Sequence, residues 1–406
     1  MSFADKRILL GVSGGIAAYK AAELARRLVT AGATVKVVMT KSAAEFVTPM
    51  TFAALTGQTV GTALFGPGVH PLEHIWLGQQ VDAVVLVPAT ANLIGKAANG
   101  IGDDLLSTIL IAATRPVLVC PAMNCEMYEN PAVQENLARL RERGMWVLEP
   151  EAGALACGAV GYGRLPETDS ILAALGRLVA VRDLAGQRLL VTAGPTHEDL
   201  DPVRYVTNRS SGKMGYAVAR AAWRRGADVA LVTGPTSLPD PFGVEMIRVR
   251  SALDMLGEVV KRFPSCDALV MAAAVGDYRP ESLAERKIKR GSTAALQVTL
   301  VQNPDILKEI SALKESQITI GFAAETHDLI EEANRKLTEK NLDLIVANDV
   351  NQPDSGFAVD TNEVTLVAAD GEVVSLPLLT KDEVADKILD WLVPRLTPKS
   401  PEDAGD

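Results

Sequence analysis

Short runs that are apolar at most or all positions recur along this chain, each followed by a longer stretch of helical spacing. Ile8–Val12, Val35–Met39, Val81–Val87 and Pro116–Cys120 lie in the first half. Arg188–Thr192, Val229–Val232, Ala268–Ala273, Ile318–Phe322 and Leu344–Ala347 lie in the second. A strand with one wet face alternates apolar and polar residues, whereas a run without alternation is covered on both faces. Between the runs, Ala17–Val29, Pro131–Arg143, Ser211–Arg225, Met255–Arg262, Asp305–Leu313 and Leu329–Glu339 read as helices. Asn92–Ala113 reads as one or two helices broken near Gly100–Gly102. This alternation predicts parallel sheets with helices on both faces.

The rhythm restarts around Arg182–Gln187, so the 406 residues divide into two successive α/β domains, 1–185 and 186–397. Val364–Val367 and Val373–Leu376 flank Asp370-Gly371, a hairpin signal, and Lys381–Leu396 is a final helix. Residues 398–406 are polar, contain two prolines and are expected to be a disordered tail. The net charge of −10 and an aromatic content of 4% argue against a nucleic-acid platform. No apolar run reaches the ~20 residues that span a bilayer. The N-terminal apolar run meets a Gly-rich turn and shows no signal cleavage site. Four cysteines in so long a chain read as cytosolic thiols, so a cytoplasmic protein is expected.

The loops after the strands carry the chemistry. Gly11-Val-Ser-Gly-Gly-Ile-Ala-Ala-Tyr-Lys20 opens the first helix, where glycine lets the backbone approach a ligand and free N–H groups attract phosphate. It is not the dinucleotide fingerprint, and no acidic residue ends the second strand. Pro88-Ala-Thr-Ala-Asn92 and Pro121-Ala-Met-Asn-Cys-Glu-Met127 end strands, where open α/β sheets bind ligands. His74 precedes the Val81 run, and a Gly-rich loop over 153–167 carries one thiol, Cys157. Together these motifs resemble the flavin-dependent phosphopantothenoylcysteine decarboxylases, which implies a flavodoxin-like flavoprotein domain and an FMN site. By that resemblance Ser13, Gly14 and Gly15 receive phosphate or ribityl groups, and Thr40, Pro88, Ala89, Thr90, Asn92, Ser107 and Thr108 surround the rest. A cysteine carboxylate has no electron sink at its α-carbon. Oxidising the thiol to a thioaldehyde places C=S β to the carboxylate, and CO₂ then leaves an enethiolate. Cys157 matches the family's acid that protonates it, and a thiol of ordinary pKa ~8.5 suits that task. His74 matches the base or thiol orienter, and Asn124 a holder of the substrate carboxylate or amide. Cys120 and Cys125 read as structural, since no second Cys or His cluster completes a metal site.

In the second half, Asp201-Pro-Val-Arg-Tyr-Val-Thr-Asn-Arg-Ser-Ser-Gly-Lys-Met-Gly215 imitates a P-loop but puts Met214 where Ser or Thr belongs. A Tyr-x-x-x-Lys pair is absent from the sequence. Met271–Tyr278 and Gly321–Thr326 end strands, Asn303–Leu307 opens a helix, and Lys287-Ile-Lys-Arg290 is basic. Lys336 and Lys340 share a helix face. Three strand-end loops with three lysine positions suggest a triphosphate. This half resembles the phosphopantothenate–cysteine ligases, and both halves together the bacterial bifunctional family of coenzyme A biosynthesis. The resemblance implies a nucleotide-binding domain that converts 4′-phosphopantothenate and CTP to an acyl-cytidylate, from which L-cysteine displaces CMP. The first domain would then decarboxylate 4′-phosphopantothenoylcysteine. Lys287 matches the key lysine, with Lys289 as second choice, and Lys336 and Lys340 meet the β/γ-phosphates. Mg²⁺ bridges the phosphates, with Asp277 a nucleotide or metal contact. Phe322 packs against base or ribose, and Asn208 holds the amide or activated carbonyl. Met271, Ala272, Ala273, Pro304, Asp305, Ile306 and Leu307 line the nucleotide. Gly276 stands where the family usually has Ala or Ser, and Arg290 replaces a frequent Lys. The family's flavin domains form trimers and its ligase domains dimers, implying a homo-oligomer. Two rivals stand beside this reading: a nicotinamide-dependent reductase, against which the missing fingerprints count, and a non-catalytic flavin-binding protein, which would need neither His74, Cys157 nor a ligase half.

Overall fold

A computed structural model describes residues 2–66, 69–154, 160–289, 296–325, 329–349 and 359–397. In chain order the first half forms β1 (Arg7–Val12), α1 (Ala18–Thr30), β2 (Thr34–Met39), α2 (Pro49–Thr56), α3 (Glu73–Gln79) and β3 (Ala83–Ala89). It continues with α4 (Ala91–Asn99), α5 (Leu105–Ala112), β4 (Val117–Pro121), α6 (Cys125–Glu129), α7 (Pro131–Glu142) and β5 (Trp146–Val147). The hairpin β6 (Glu151–Ala154) and β7 (Val160–Arg164) and then α8 (Thr168–Val179) complete it. The five-stranded sheet has the order β2-β1-β3-β4-β5, parallel throughout. That is the flavodoxin-like order, which places a switch point between β1 and β3.

The runs without alternation are indeed covered on both faces: β3 is buried at every position. It extends past Val87, and its ladder to β4 shifts register between Leu86 and Ala89. Pro88 has no N–H to give there. The break expected near Gly100 separates α4 from α5. Gly100 ends α4 at φ +67, and Asp104 starts α5 with a capping box.

The second half forms β8 (Arg188–Ala193), β9 (His197–Asp199), β10 (Tyr205–Thr207), α9 (Lys213–Arg224), β11 (Asp228–Thr233), β12 (Glu245–Arg248) and α10 (Ala252–Arg262). Then come β13 (Ala268–Met271), β14 (Tyr278–Pro280), β15 (Leu300–Gln302), α11 (Ile306–Ser311), β16 (Ile318–Glu325), α12 (Leu329–Glu339) and β17 (Leu344–Asp349). The last elements are β18 (Thr361–Asn362), β19 (Val364–Ala368), β20 (Val373–Ser375), β21 (Leu379–Thr380) and α13 (Lys381–Leu392). Its main sheet runs β12-β11-β8-β13-β16-β17-β19-β20. Strands β12 to β17 are parallel, and the hairpin around Asp370-Gly371 adds β19 and β20 antiparallel. Leu190, Val232 and Leu269 pack with α10 and α11 on one face. Their buried neighbours Val191, Leu231 and Val270 point the other way, where α9 lies against β8 and β11 and α13 lies against α9. The final helix stops at Leu392 and continues as one 3₁₀ turn through Pro394, which cannot donate to an α-helical ladder. The expected tail, 398–406, lies outside the described residues. By its internal contacts the chain divides into two units, Met1–Ala180 and Val181–Asp406.

Candidate active sites

In the first unit a cavity of ≈ 860 Å³ opens beyond the carboxyl ends of β1–β4. Of the residues expected at a flavin, Ser13, Gly14, Gly15, Thr40, Thr90 and Asn92 line it, and so does Asn124. Ser13 joins two strand ends: its Oγ donates to the Pro88 carbonyl at 2.7 Å and accepts from the Thr90 N–H at 3.0 Å. Gly14 is required by close approach. A Cβ there would lie 2.3 Å from Ser42 Cβ and 2.7 Å from the Ser42 carbonyl carbon. Thr40 Oγ1 accepts from the Ala43 N–H, and Thr90 caps α4. No side chain caps the N-terminus of α1, whose Ala17 and preceding glycines line the cavity. Such a terminus favours an anion. Asn124 caps α6 by accepting from the Glu126 N–H at 2.9 Å. The far wall is closed by β7, where the Met123 N–H donates to the Gly163 carbonyl at 3.0 Å. Gly163 sits at φ +135 with Met123 O 2.3 Å from where a Cβ would be, so only glycine fits.

The other expected residues do not line this cavity, and α3, which carries His74, borders the amino ends of β1 and β2 instead. Pro88 and Ala89 form the end of β3. Ser107 is buried on the first turn of α5 and completes the Asp104 capping box, and Thr108 Oγ1 donates to the Asp104 carbonyl at 2.7 Å. His74 is half-buried on α3, which packs on α5. Cys157 lies outside the described residues. Cys120 and Cys125 are buried, and burial drives the Cys120 thiol pKa well above its usual value.

Among the lining residues to which the sequence assigned no role are Lys96 and Asp104. The Lys96 ammonium lies 2.6 Å from Asp103 and 3.0 Å from Asp104. Its hydrogen bond to Asp103 raises its pKa against burial. Burial pushes the Asp104 carboxyl up, but the Ser107 N–H and Lys96 outweigh it and hold it below the usual range. The signal was its spacing four residues after Asn92, which puts Lys96 on the same helix face.

In the second unit a cavity of ≈ 180 Å³ sits near the carboxyl ends of β13, β16 and β17. Ala272, Ala273 and Phe322, three of the residues expected at the nucleotide, line it together with Ser210–Met214, Asn348, Asn362 and Lys381. Met271 is the buried last residue of β13. Asn208 Nδ2 donates to the carbonyls of Ala274 (2.9 Å) and Val275 (3.2 Å), fastening the segment before α9 to the loop after β13. Gly276 in that loop is tied at both polar groups: its N–H donates to Thr196 Oγ1 at 2.9 Å, and its carbonyl accepts from Asn303 at 2.7 Å.

Lys287 and Lys289 are exposed on either side of Ile288, and that residue is held twice. Its N–H donates to the buried Asp201 carboxylate at 3.0 Å, and its carbonyl accepts from Arg204 at 2.9 Å. Arg204 also pairs with Asp201 at 2.6 Å. The Arg204 hydrogen bond, with the N–H groups of Ile288, Val203 and Arg204, drives the Asp201 pKa far below the carboxylate range against burial. The sequence reading quoted this segment for its Gly-Lys and missed the clamp. Asp305, after Pro304, caps α11 by accepting from the Leu307 and Lys308 N–H groups, and takes the Lys340 ammonium at 2.8 Å. Burial pushes its carboxyl up, but Lys340 and the helix N–H groups hold it below the usual range. Ile306 is core, Leu307 borders the core, and Lys336 lies four residues before Lys340. Asp277 is exposed on the loop before β14. Among the described residues, no three His, Cys, Asp or Glu cluster as metal ligands.

Doubly wound sheets with cavities at their carboxyl edges define a two-unit α/β protein of the nucleotide-binding kind. Residues 2–180 match the Flavoprotein family, and residues 184–395 match the family described as DNA/pantothenate metabolism flavoprotein C-terminal domain. A coenzyme A biosynthesis bifunctional protein CoaBC of Vibrio cholerae is 50% identical over 391 residues, 96% of this chain and 98% of the relative. Those of Bacillus subtilis and Escherichia coli K12 are 47% and 46% identical, covering 95% and 98% of this chain and 96% and 100% of the relatives. The chain belongs to the family of coenzyme A biosynthesis bifunctional proteins, CoaBC.

Proposed function

We propose that the second unit couples L-cysteine to 4′-phosphopantothenate with CTP through an acyl-cytidylate. The first unit then decarboxylates 4′-phosphopantothenoylcysteine to 4′-phosphopantetheine with FMN. The observation that carries this reading is the near-full-length match to a bifunctional family in a chain with a cavity at the strand ends of each unit.

The first cavity fits FMN. Its volume lies in the range of cofactor sites, Gly14 keeps a cradle that a Cβ would fill, and the uncapped α1 terminus suits a phosphate. Bound FMN would supply the two-electron oxidant for the substrate thiol and the reductant that closes the cycle. In this reading Asn124 holds the substrate carboxylate or amide, His74 takes the thiol proton, and Cys157 returns a proton to the enethiolate. Ser13, Gly14 and Gly15 take the phosphate and ribityl end. Thr40, Pro88, Ala89, Thr90, Asn92, Ser107 and Thr108 surround the rest.

A carboxylate does not acylate an amine at neutral pH, because its leaving group would be oxide. Activation as a cytidylate builds negative charge at the α-phosphate, and Lys287 meets it there, with Lys289 as the alternative. Lys340 exchanges Asp305 for the β/γ-phosphates, beside Lys336. Mg²⁺ carried by the nucleotide would offset phosphate charge, and Asp277 would be its protein contact. Phe322 gives an apolar wall, and Asn208 positions the activated carbonyl. The protein is proposed to work in the cytoplasm, as flavin-unit trimers and ligase-unit dimers. The test supplies 4′-phosphopantothenate, cysteine, CTP and Mg²⁺ and follows pyrophosphate and CO₂. Equal yields of both are expected. Pyrophosphate without CO₂, or neither, sinks the bifunctional reading, and a colourless purified protein sinks the flavin half.

A further inference from the structure

Among the described residues that line the first cavity are four cations, Lys20, Lys41, Lys96 and Arg164, and one carboxylate, Asp104. A phosphate at the α1 terminus would answer part of that excess. Lys20 stands on α1, and Lys41 precedes Ser42, against which Gly14 packs. Arg164 is exposed and pairs with Glu167. Lys96 stands apart from them. It lies on α4, which packs with α5 and α7, whereas α1 packs with α2 and α8. Its side chain is only 18% exposed. Helical side chains lean toward the helix N-terminus, so the Lys96 stem climbs past Asn92 toward the strand ends. The chemistry set out above gives this lysine no part.

Two carboxylates hold the ammonium, and each is answered elsewhere as well. Asp103, at 2.6 Å, is 58% exposed, so water and ions screen it. Asp104, at 3.0 Å, accepts from the Ser107 N–H at 2.8 Å, at the positive end of α5. The hydrogen bond to Asp103 keeps Lys96 protonated against burial. On the cavity side the field of the ammonium is therefore only partly cancelled. The chemistry of the site gives such a field a use. Oxidising a thiol to a thioaldehyde takes a hydride from carbon and a proton from sulfur. The proton goes to a base, and the electron pair ends on the flavin as one negative charge, held mainly at the N1–C2=O edge. An alkyl thiol gives up hydride reluctantly, so the strength of the oxidant matters, and charge near that edge sets it. A cation in a cavity poor in water acts on it more strongly than one in bulk solvent.

We propose that Lys96 sets its charge beside the bound FMN and strengthens it as the oxidant of the substrate thiol, with Asp103 and Asp104 holding the ammonium there and moderating it. This rests on the flavin reading of the first unit. The test uses sulfite, which adds to N5 of an oxidised flavin and leaves the same negative charge at N1–C2=O without substrate or turnover. Sulfite affinity, from bleaching of the flavin band, and the midpoint potential are measured on full-length, FMN-loaded wild type, Lys96→Met, Lys96→Arg and Asp103→Asn. Lys96→Met should weaken sulfite binding tenfold or more and lower the two-electron potential by about 30 mV or more, the equivalent of that factor. Lys96→Arg should restore most of both. Asp103→Asn should shift both the other way, tightening sulfite at least twofold, because it removes a moderating charge and keeps the ammonium. A lysine that merely braces α4 against the turn before α5 predicts no such opposition. Sulfite affinity and potential unchanged in Lys96→Met, or moved in the same direction by Lys96→Met and Asp103→Asn, overturn the assignment. If Lys96→Met does not retain FMN, Asp103→Asn decides alone. Wild type that binds FMN while its variants respond in none of these ways overturns only the role of Lys96. Wild type that takes up no FMN overturns the flavin reading, and this role with it.

Discussion

Two glycines at strand-end loops make opposite demands. At Gly276 a Cβ would meet its nearest neighbours, Glu198 Cγ and Thr196 Oγ1, at 3.5 Å, an ordinary contact, and both backbone polar groups are bound. Gly276→Ala should therefore stabilise the protein by about 0.4–1 kcal/mol through the unfolded chain. The melting temperature should rise by ~1–4 °C for a unit of this size. A fall in melting temperature would show that the loop needs glycine. At Gly14 the obstacle is Ser42, its Cβ first and its backbone next. Gly14→Ala should fold, yet lose FMN affinity at least tenfold, read as flavin absorbance retained after gel filtration. At Lys287 charge matters more than space. Lys287→Gln should slow acyl-cytidylate formation ~100-fold or more, the ~3 kcal/mol of one lost transition-state contact. A pyrophosphate burst at the wild-type rate would pass the role to Lys289.

Elements that bury both faces were plain in the sequence, because a run such as Val84–Val87 can be little else than a covered strand. The short hairpins were not. Tyr205–Thr207 is exposed throughout, Tyr278–Pro280 is exposed at Tyr278 and half-buried after it, and their partner strands are three residues long, so no periodicity marks them. Candidate site residues at strand ends were legible from their turn chemistry. Asp201 was not, because its task is to hold a backbone 87 residues away, and long-range pairing leaves no local spacing. That clamp predicts a pH signature. Its folded pKa lies below the unfolded value near 3.9, so its stabilisation is complete above about pH 4 and is lost as pH falls further. The stability gap between wild type and Asp201→Asn, from urea unfolding, should hold from pH 7 to 5 and narrow below about pH 4. A gap that widens with acid would rule the clamp out.

Across the whole chain, the residues just past Ala180 already belong to the second unit. Arg225 pairs with Asp183 and Asp390, the Leu184 N–H donates to the Arg225 carbonyl, and Gln187 reaches the Thr397 carbonyl at 2.9 Å. A cut between Val181 and Arg182 therefore severs few of these bonds, and domains with their own cores usually fold alone. Residues 1–181 should be yellow and decarboxylate supplied 4′-phosphopantothenoylcysteine. Residues 182–406 should be colourless and couple cysteine with CTP. Mixing them should restore the full conversion through a diffusing intermediate. Fragments folded by circular dichroism but inert on their own substrates would mean that the two sites share residues.

The Asp201 carboxylate that anchors Ile288 is sealed from solvent, while the lysines on either side of it are exposed. Electrolyte therefore acts on the two unequally. At physiological ionic strength mobile ions screen exposed charges beyond roughly 8 Å, and they screen a sealed pair far less. Added salt should loosen the capture of a polyanion by Lys287 and Lys289 without moving the backbone that aims them. KM for CTP should climb with ionic strength while kcat at saturation stays level, a division of labour between what recruits the nucleotide and what holds the catalytic lysine in place.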